Sequence, residues 1–375
     1  MHMADNKYKI NKGKYHTGKE FVNSNHFIGK IKPVKNKNES TDSWEDVPYF
    51  RLEEDGKKKV LEFILETALS NDIKVKLTGK EQPYAYPYSS KHKKADKVAW
   101  ADRFDKSKYP DDTYHLIDPD WDKIDKLKEI VVTDGWVEVK GKYNPYEFEN
   151  EQQQTIKGVS RQIGYLNPII DGKVLVNGKL EVIKSQGKEI TYVCDFESPD
   201  FVEVNTYNMQ IGIKSTYQEE DKSTKVNGVF LSYGKERSEP RDVEMTVYYN
   251  ETTDGSKPLA DAFATLNPLD FIEVIGVDNN RATFAYVDVE SSMEENDPFN
   301  DVGTDVGSTK KKRVVNGDKK GLEVTGFVKQ SLMRGLLTEE EVTKSVSTQA
   351  NDPFVTETSK ETDPFATNEE FDPFA

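Results

Sequence analysis

The sequence predicts a mainly β protein with a strand-rich body and a long acidic tail. Three observations predict it. Apolar and polar residues alternate with period two through many short runs separated by turn residues. Helical spacing is confined to a few places. Past Glu290 the chain turns to Ser, Gly, Asp, Glu, Thr and Asn, a composition that buries too little apolar surface to offset the entropy of ordering.

In chain order the clearest strands are His26–Lys32, Val60–Leu65, Ile73–Leu77 and Trp136–Lys140. Leu180–Ile183, Ile190–Cys194, Phe201–Val204, Met209–Ile213, Val229–Tyr233, Val243–Tyr249, Phe271–Gly276 and Ala282–Val289 follow. Each is rich in the β-branched and aromatic residues that suit a pleated, half-buried surface. Trp121, Ile124, Leu127 and Ile130 make one face of a short helix. Pro119 and the acids Asp118, Asp120, Asp122 and Asp125 suit its positive end, and their spacing lacks the glycine and final glutamate of a calcium loop. Pro258–Leu266 predicts a second helix. Two more are expected within Gly321–Val346, where Val324, Val328 and Leu332 share a face and Thr338 with Glu341 forms a capping box.

Two units share an ending. Trp136-Val-Glu-Val-Lys-Gly141 follows the first helix and Phe271-Ile-Glu-Val-Ile-Gly276 the second, and a further strand follows each, at Thr155–Leu166 and Ala282–Val289. A helix placed before the last two strands of a short β unit is the arrangement of a five-stranded Greek-key OB barrel. The expectation is therefore two OB-like barrels with short helices, at 20–168 with an insertion over 80–118 and at 169–290. A basic arm (1–19) precedes them. A linker (291–320), a small helical segment (321–346) and a disordered acidic tail (347–375) follow.

Composition narrows the chemistry. Cys194 is the single cysteine among 375 residues, so no internal disulfide forms and a reducing cytoplasm fits. His2, His16, His26, His92 and His115 show no metal-ligand spacing, and no phosphate loop, nucleophile elbow or zinc pair occurs; neither a cofactor, a metal nor an enzymatic activity is expected. No run approaches the roughly 20 apolar residues that span a bilayer. The net charge is −15, but residues 1–37 hold nine lysines against Asp5 and Glu20, while the last thirty hold seven acids against Lys360. A basic head and an acidic tail on one chain fit a nucleic-acid protein.

The tail repeats one peptide four times, at Asp297-Pro298-Phe299, Asp352-Pro353-Phe354, Asp363-Pro364-Phe365 and Asp372-Pro373-Phe374. Each is an aromatic anchor stiffened by proline and flanked by carboxylates, with no apolar neighbours to pack against, and several copies on one tether raise the effective concentration of bait. The ending Glu369-Glu-Phe-Asp-Pro-Phe374 resembles the acidic tip of bacterial and phage single-stranded-DNA-binding proteins. The resemblance implies OB-folds that coat single strands and a tail that recruits replication, recombination and repair enzymes. One departure is plain: Ala375 follows Phe374, whereas in that family the phenylalanine is usually last.

Binding single strands requires cations along a groove and aromatic faces for the bases. The segment Tyr84, Tyr86, Tyr88, Lys91, Lys93, Lys94, Lys97, Trp100, Arg103, Phe104, Lys106, Lys108 and Tyr109 supplies both. Lys30, Lys32 and Lys35, then Lys140, Lys142, Tyr143 and Tyr146, and Arg161 are further candidates, and Lys310-Lys-Lys-Arg313 reads as a solvated run. Two other readings fit the tail: a virion or scaffold protein, and a trafficking protein that engages adaptors through Asp-Pro-Phe.

Overall fold

The computed structural model describes residues 21–38, 42–69, 71–150, 153–233, 238–253, 255–288 and 311–343. The arm at 1–19, the tail at 347–375 and all four Asp-Pro-Phe peptides lie outside them. Strand β1 (Asn23–Lys32) is followed by the hairpin β2 (Val34–Asn38) and β3 (Ser43–Val47), the edge strand β4 (Phe50–Glu53), and the long pair β5 (Lys58–Ala68) and β6 (Asn71–Lys80). Four two-residue strands, β7 (Tyr84–Ala85), β8 (Tyr88–Ser89), β9 (Lys94–Ala95) and β10 (Val98–Ala99), make a lobe before helix α1 (Asp120–Leu127) and the hairpin of β11 (Trp136–Glu149) and β12 (Thr155–Ile170). Short hairpins of β13 (Lys173–Val176) with β14 (Lys179–Glu181), and β15 (Ile183–Ser185) with β16 (Lys188–Ile190), lead onward. Then come β17 (Asn205–Gln218), β18 (Thr224–Tyr233), β19 (Ser238–Val247), helix α2 (Leu259–Phe263), β20 (Phe271–Asp288), β21 (Lys311–Phe327) and helix α3 (Glu339–Val342). The body is mainly β, and no helix among the described residues is long and apolar enough to cross a membrane.

Pairing closes on itself twice. β1 pairs antiparallel with β5, β5 with β6, β12 with β11 and β11 with β1, and β6 runs parallel to β12. β17, β18, β19, β21 and β20 repeat that circuit with the same single parallel step, between β19 and β21. We call these the first and second rings. Period-two alternation sends Ile73, Val75 and Leu77 inward and leaves Lys74 and Lys76 outside; Val243, Met245 and Val247 do the same in the second ring. Each fully buried side chain of this kind contributes about 1.5–3 kcal/mol. Ile124 of α1 plugs the first ring and Phe263 of α2 the second.

The shared hexapeptides have a physical reason. Each ends in a glycine at a bulge, where a Cβ would lie 1.8 Å from the Gln162 carbonyl oxygen at Gly141 and 2.0 Å from the Glu323 carbonyl oxygen at Gly276. Only glycine permits that approach. Their glutamates also take matching partners, His26 Nε2 at 2.9 Å from Glu138 and Asn208 Nδ2 at 3.2 Å from Glu273.

The rings join edge to edge. β1 pairs antiparallel with β17, with Asn25 opposite Tyr207. Across this junction Arg161 of β12 grips Asp278 of β20 with two bonds of 2.7 and 2.6 Å, and Asp278 is wholly buried.

Several expectations need correction. Residues 311–327, assigned to the linker and to the start of a helical segment, form β21 and complete the second ring. The spacing of Val324, Val328 and Leu332 was coincidental: Val324 is buried in the strand, Val328 follows its end and Leu332 is exposed. The capping box is present, with the Thr338 N–H donating to Glu341 at 2.8 Å. The expected strands Phe271–Gly276 and Ala282–Val289 are one continuous β20, in which Asn71 Oδ1 accepts from the Asn280 N–H at 2.9 Å and pairing with β21 continues through Asn279 and Asn280. Phe201–Val204 and most of Ile190–Cys194 are not strands. Residues 169–204 instead pack Ile169, Val174, Ile183, Tyr192 and Val204 as a separate cluster on Ile28.

Arg161→Ala leaves a buried charge without its partner and is expected to cost about 3–5 kcal/mol, measured by urea unfolding. Replacing both members by apolar residues of similar volume is expected to cost much less.

Candidate nucleic-acid interface

The aromatic, lysine-rich segment divides into a core and a surface. Trp100 and Tyr109 are buried with Ala85, Val98 and Tyr114 in a small cluster against Leu116 and Trp121, and Tyr88 is buried beside them in sequence; their faces are withdrawn from solvent. Arg103 is also committed. Its guanidinium takes both oxygens of Asp122 at 2.8 Å, donates to the Trp100 carbonyl, and lies 4.3 Å from the Trp100 ring centre and 4.5 Å from that of Phe104. The Tyr109 hydroxyl donates to the Arg103 carbonyl. What remains outside is Tyr84, with Lys97 Nζ 3.9 Å over its ring, and Phe104, 64% exposed. Lys91, Lys93, Lys94, Lys106 and Lys108 are exposed around them and form no salt bridge among the described residues, while Tyr86 is half-buried. Asp122 therefore braces the lobe, and the neighbouring carboxylates are likewise paired, Asp125 with Lys59 and Lys128, Asp120 with Lys123 and Asp118 with Lys126.

The other candidates scatter. Lys30 pairs with Asp134 at 2.9 Å and Lys32 with Glu66 at 2.6 Å, whereas Lys35 is exposed on β2. Lys140 pairs with Glu138 at 2.8 Å, and Lys142 and Tyr146 are exposed on the β11 hairpin. Tyr143 is buried at the ring junction, where burial and then the Asp278 charge push its phenol far above the usual value. Arg161 is bound to Asp278 and serves the junction. Lys310 lies outside the described residues, and Lys311–Arg313 begin β21.

A stronger charge cluster sits on the outer face of β4, β5 and β6. Arg51, Lys58, Lys74, Lys76 and Lys80 surround three carboxylates: Glu62 takes Arg51 at 2.9 Å and Lys74 at 2.8 Å, Glu53 takes Arg51 at 2.7 Å and Lys58 at 2.8 Å, and Glu54 takes Lys80 at 3.3 Å. The register sets Lys76 opposite Glu62 and Lys80 opposite Lys58. Burial, and then the nearby cations Arg51 and Lys58, lower the Lys76 ammonium, while Glu62 attracts in the other direction. Burial would raise Glu62, yet contacts with Lys74, Lys76 and Arg51 bring it below the usual carboxylate range. At the far end of the same face Lys32 meets Glu66 and Asp72, so six cations stand against five acids and the excess gathers at Arg51, Lys74 and Lys76, where an approaching phosphate finds its complement. The alternation Asp72-Ile-Lys-Val-Lys-Leu-Thr-Gly-Lys80 carried this signal, since every second residue shares a face. Other exposed aromatics the sequence reading passed over are Trp44, 64% exposed on the β2–β3 hairpin, and Tyr165, 71% exposed opposite Lys140. Among the described residues no group of His, Cys, Asp and Glu could hold a metal ion.

No family model matches the chain, and no curated protein matches it. Among solved structures, the wild-type single-stranded DNA binding protein from Thermus aquaticus aligns with a TM-score of 0.34 and 10% identity, over 70% of this chain and 87% of that chain. A deletion mutant of the same Thermus aquaticus protein aligns at 0.33 and 12%, over 70% and 88%.

Glu138 provides a test of the local electrostatics. Burial would raise its carboxyl, but bonds from His26 and Lys140 hold it at about 2, below the ordinary 4.5. A depressed carboxylate stabilises the fold above pH 4.5, and that stability drains away as pH falls toward 2. Glu138→Gln is expected to lose about 3 kcal/mol at neutral pH and to flatten the acid limb of the stability curve between those values.

Proposed function

We propose that this chain binds single-stranded DNA without sequence preference, in replication, recombination or repair of the phage type, and recruits partner enzymes through its Asp-Pro-Phe peptides. On this reading the two rings are OB-like Greek-key barrels. Their strand order, with one parallel closure and a helix before the fourth strand, supports it. So does the location of the charge, because the middle strands of an OB barrel are the surface on which oligonucleotides lie.

The observation that carries the reading is the cationic face of β4, β5 and β6 running at Lys80 into a lobe with exposed Tyr84 and Phe104. Lysines neutralise phosphates and the Tyr84 and Phe104 side chains offer aromatic faces to bases, neither of which reads sequence. The role is binding without chemistry, and the acidic peptides beyond the body present phenylalanine anchors to partner enzymes.

Fluorescence anisotropy of labelled oligo-dT tests this. Binding is expected at about 50 mM salt, falling as salt rises with a slope of about −0.7 per phosphate contact. Tyr84→Ala and Phe104→Ala are each expected to weaken it by about 1–3 kcal/mol. No binding at low salt, or equal preference for duplex, would overturn the reading. Recruitment is tested by pull-down with a chain ending at Thr343, because everything from β21 to that residue belongs to the described fold; Phe299→Ala must be added to remove the fourth peptide. Loss of partner enzymes with unchanged oligo-dT binding is the expected result, and retention of all partners would refute the tail's role.

A further inference from the structure

We propose that the two rings hold a strand unequally: the first ring grips it, and the second is chiefly a scaffold. This rests on the single-strand reading above. Structural equivalence between the rings follows from the pairings. Gly141 lies opposite Ile163 and Gly276 opposite Val324, and the parallel steps join Val75 to Arg161 and Met245 to Leu322. Counting from these anchors, Lys74 of β6 corresponds to Glu244 of β19, and Lys76 to Thr246. Lys74 and Glu244 are both exposed on the outer face. The position that is cationic in one ring is therefore anionic in the other.

Most other features that favour a polyanion differ in the same sense, the exceptions being Glu62, whose counterpart is Lys225, and Tyr249, which carries Lys222 Nζ 4.9 Å over its ring. The lobe between β6 and α1 has as its counterpart the segment 248–258, which holds one lysine, Lys257, against Glu251 and Asp254 and forms no strand among the described residues. The β2–β3 hairpin and β4, which carry Lys35, Trp44 and Arg51, correspond to the turn Glu219-Glu-Asp-Lys-Ser223. Lys140, beside exposed Tyr165, corresponds to Ile275, which lies opposite Gly326. Counted whole, the second ring (205–288 with 311–327) holds sixteen acids against thirteen basic residues, and the first (21–170) holds 26 against 25. Phosphates approaching β18 and β19 meet Glu244 and the 219–221 carboxylates; those approaching the first ring meet the Lys74, Lys76 and Lys80 face.

The full chain tests this with substitutions outside both cores, at exposed Lys74 and Glu244 and half-buried Lys80, Lys214 and Lys225. Lys74→Gln with Lys80→Gln is expected to weaken oligo-dT binding at least about fivefold and to reduce the salt slope by about 1.4. Lys214→Gln with Lys225→Gln, the matching loss from the second ring, is expected to change affinity less than twofold. Glu244→Lys is expected to tighten binding severalfold, a gain that no folding defect produces. Equal losses from the two double variants, or no gain from Glu244→Lys, would overturn the inference and leave the single-strand reading standing. Failure of the unaltered chain to bind oligo-dT would remove both.

Discussion

The antiparallel ladder between β1 and β17 is the contact on which the body depends. Its centre pairs Asn25 with Tyr207, which are equivalent positions in the two rings, so the ladder has the self-complementary register of a two-fold interface within a single chain. The bonds at its ends are reciprocal: Ile28 donates to the Val204 carbonyl and Gln210 to the Val22 carbonyl, both at 2.8 Å. One apolar core runs through the junction, with the rings of Tyr143 and Tyr207 edge-on at 6.0 Å. Arg161 and Asp278 break the symmetry. The positions equivalent to them carry Leu322 and Tyr143, so this buried ion pair has no counterpart related to it by the two-fold.

Much of this was legible in the chain. Alternation gave most ring strands, and the two hexapeptides marked the equivalent strands because a bulge requires glycine in both. Other features depended on partners distant in sequence. Residues 311–327 have mixed composition, and only pairing with β20 makes them a strand; read alone, Val324 and Val328 suit a helix equally well. Nothing near Trp100 or Tyr109 announces that the lobe has a core of its own, and Arg161 looks like any strand-borne cation until Asp278 is placed beside it. Lys74, Lys76 and Lys80 are the reverse case, legible in plain alternation, because burial of Ile73, Val75 and Leu77 sends every second residue to the outer face.

The division within the lobe illustrates a general competition. Aromatic residues serve cores and nucleic acids through the same surface, so a cluster of them does not say which use prevails. Here burial wins for Tyr88, Trp100 and Tyr109, while Tyr84 and Phe104 stay outside. Cation contact does not sort the two uses, since Arg103 lies against both buried Trp100 and exposed Phe104.

β21 changes the meaning of one peptide in particular. Asp297-Pro298-Phe299 lies in the segment that joins β20 to β21, whose ends are held opposite each other at Asp288 and Lys311. The other three copies follow the last described residue, Thr343, at 11, 22 and 31 residues' distance, whereas Phe299 lies 11 and 12 residues from Asp288 and Lys311. Under the proposed recruiting role, a tether joined to the fold on both sides has the shorter reach. The Phe299 copy would then present its partner beside the second ring, a placement the other three copies do not share.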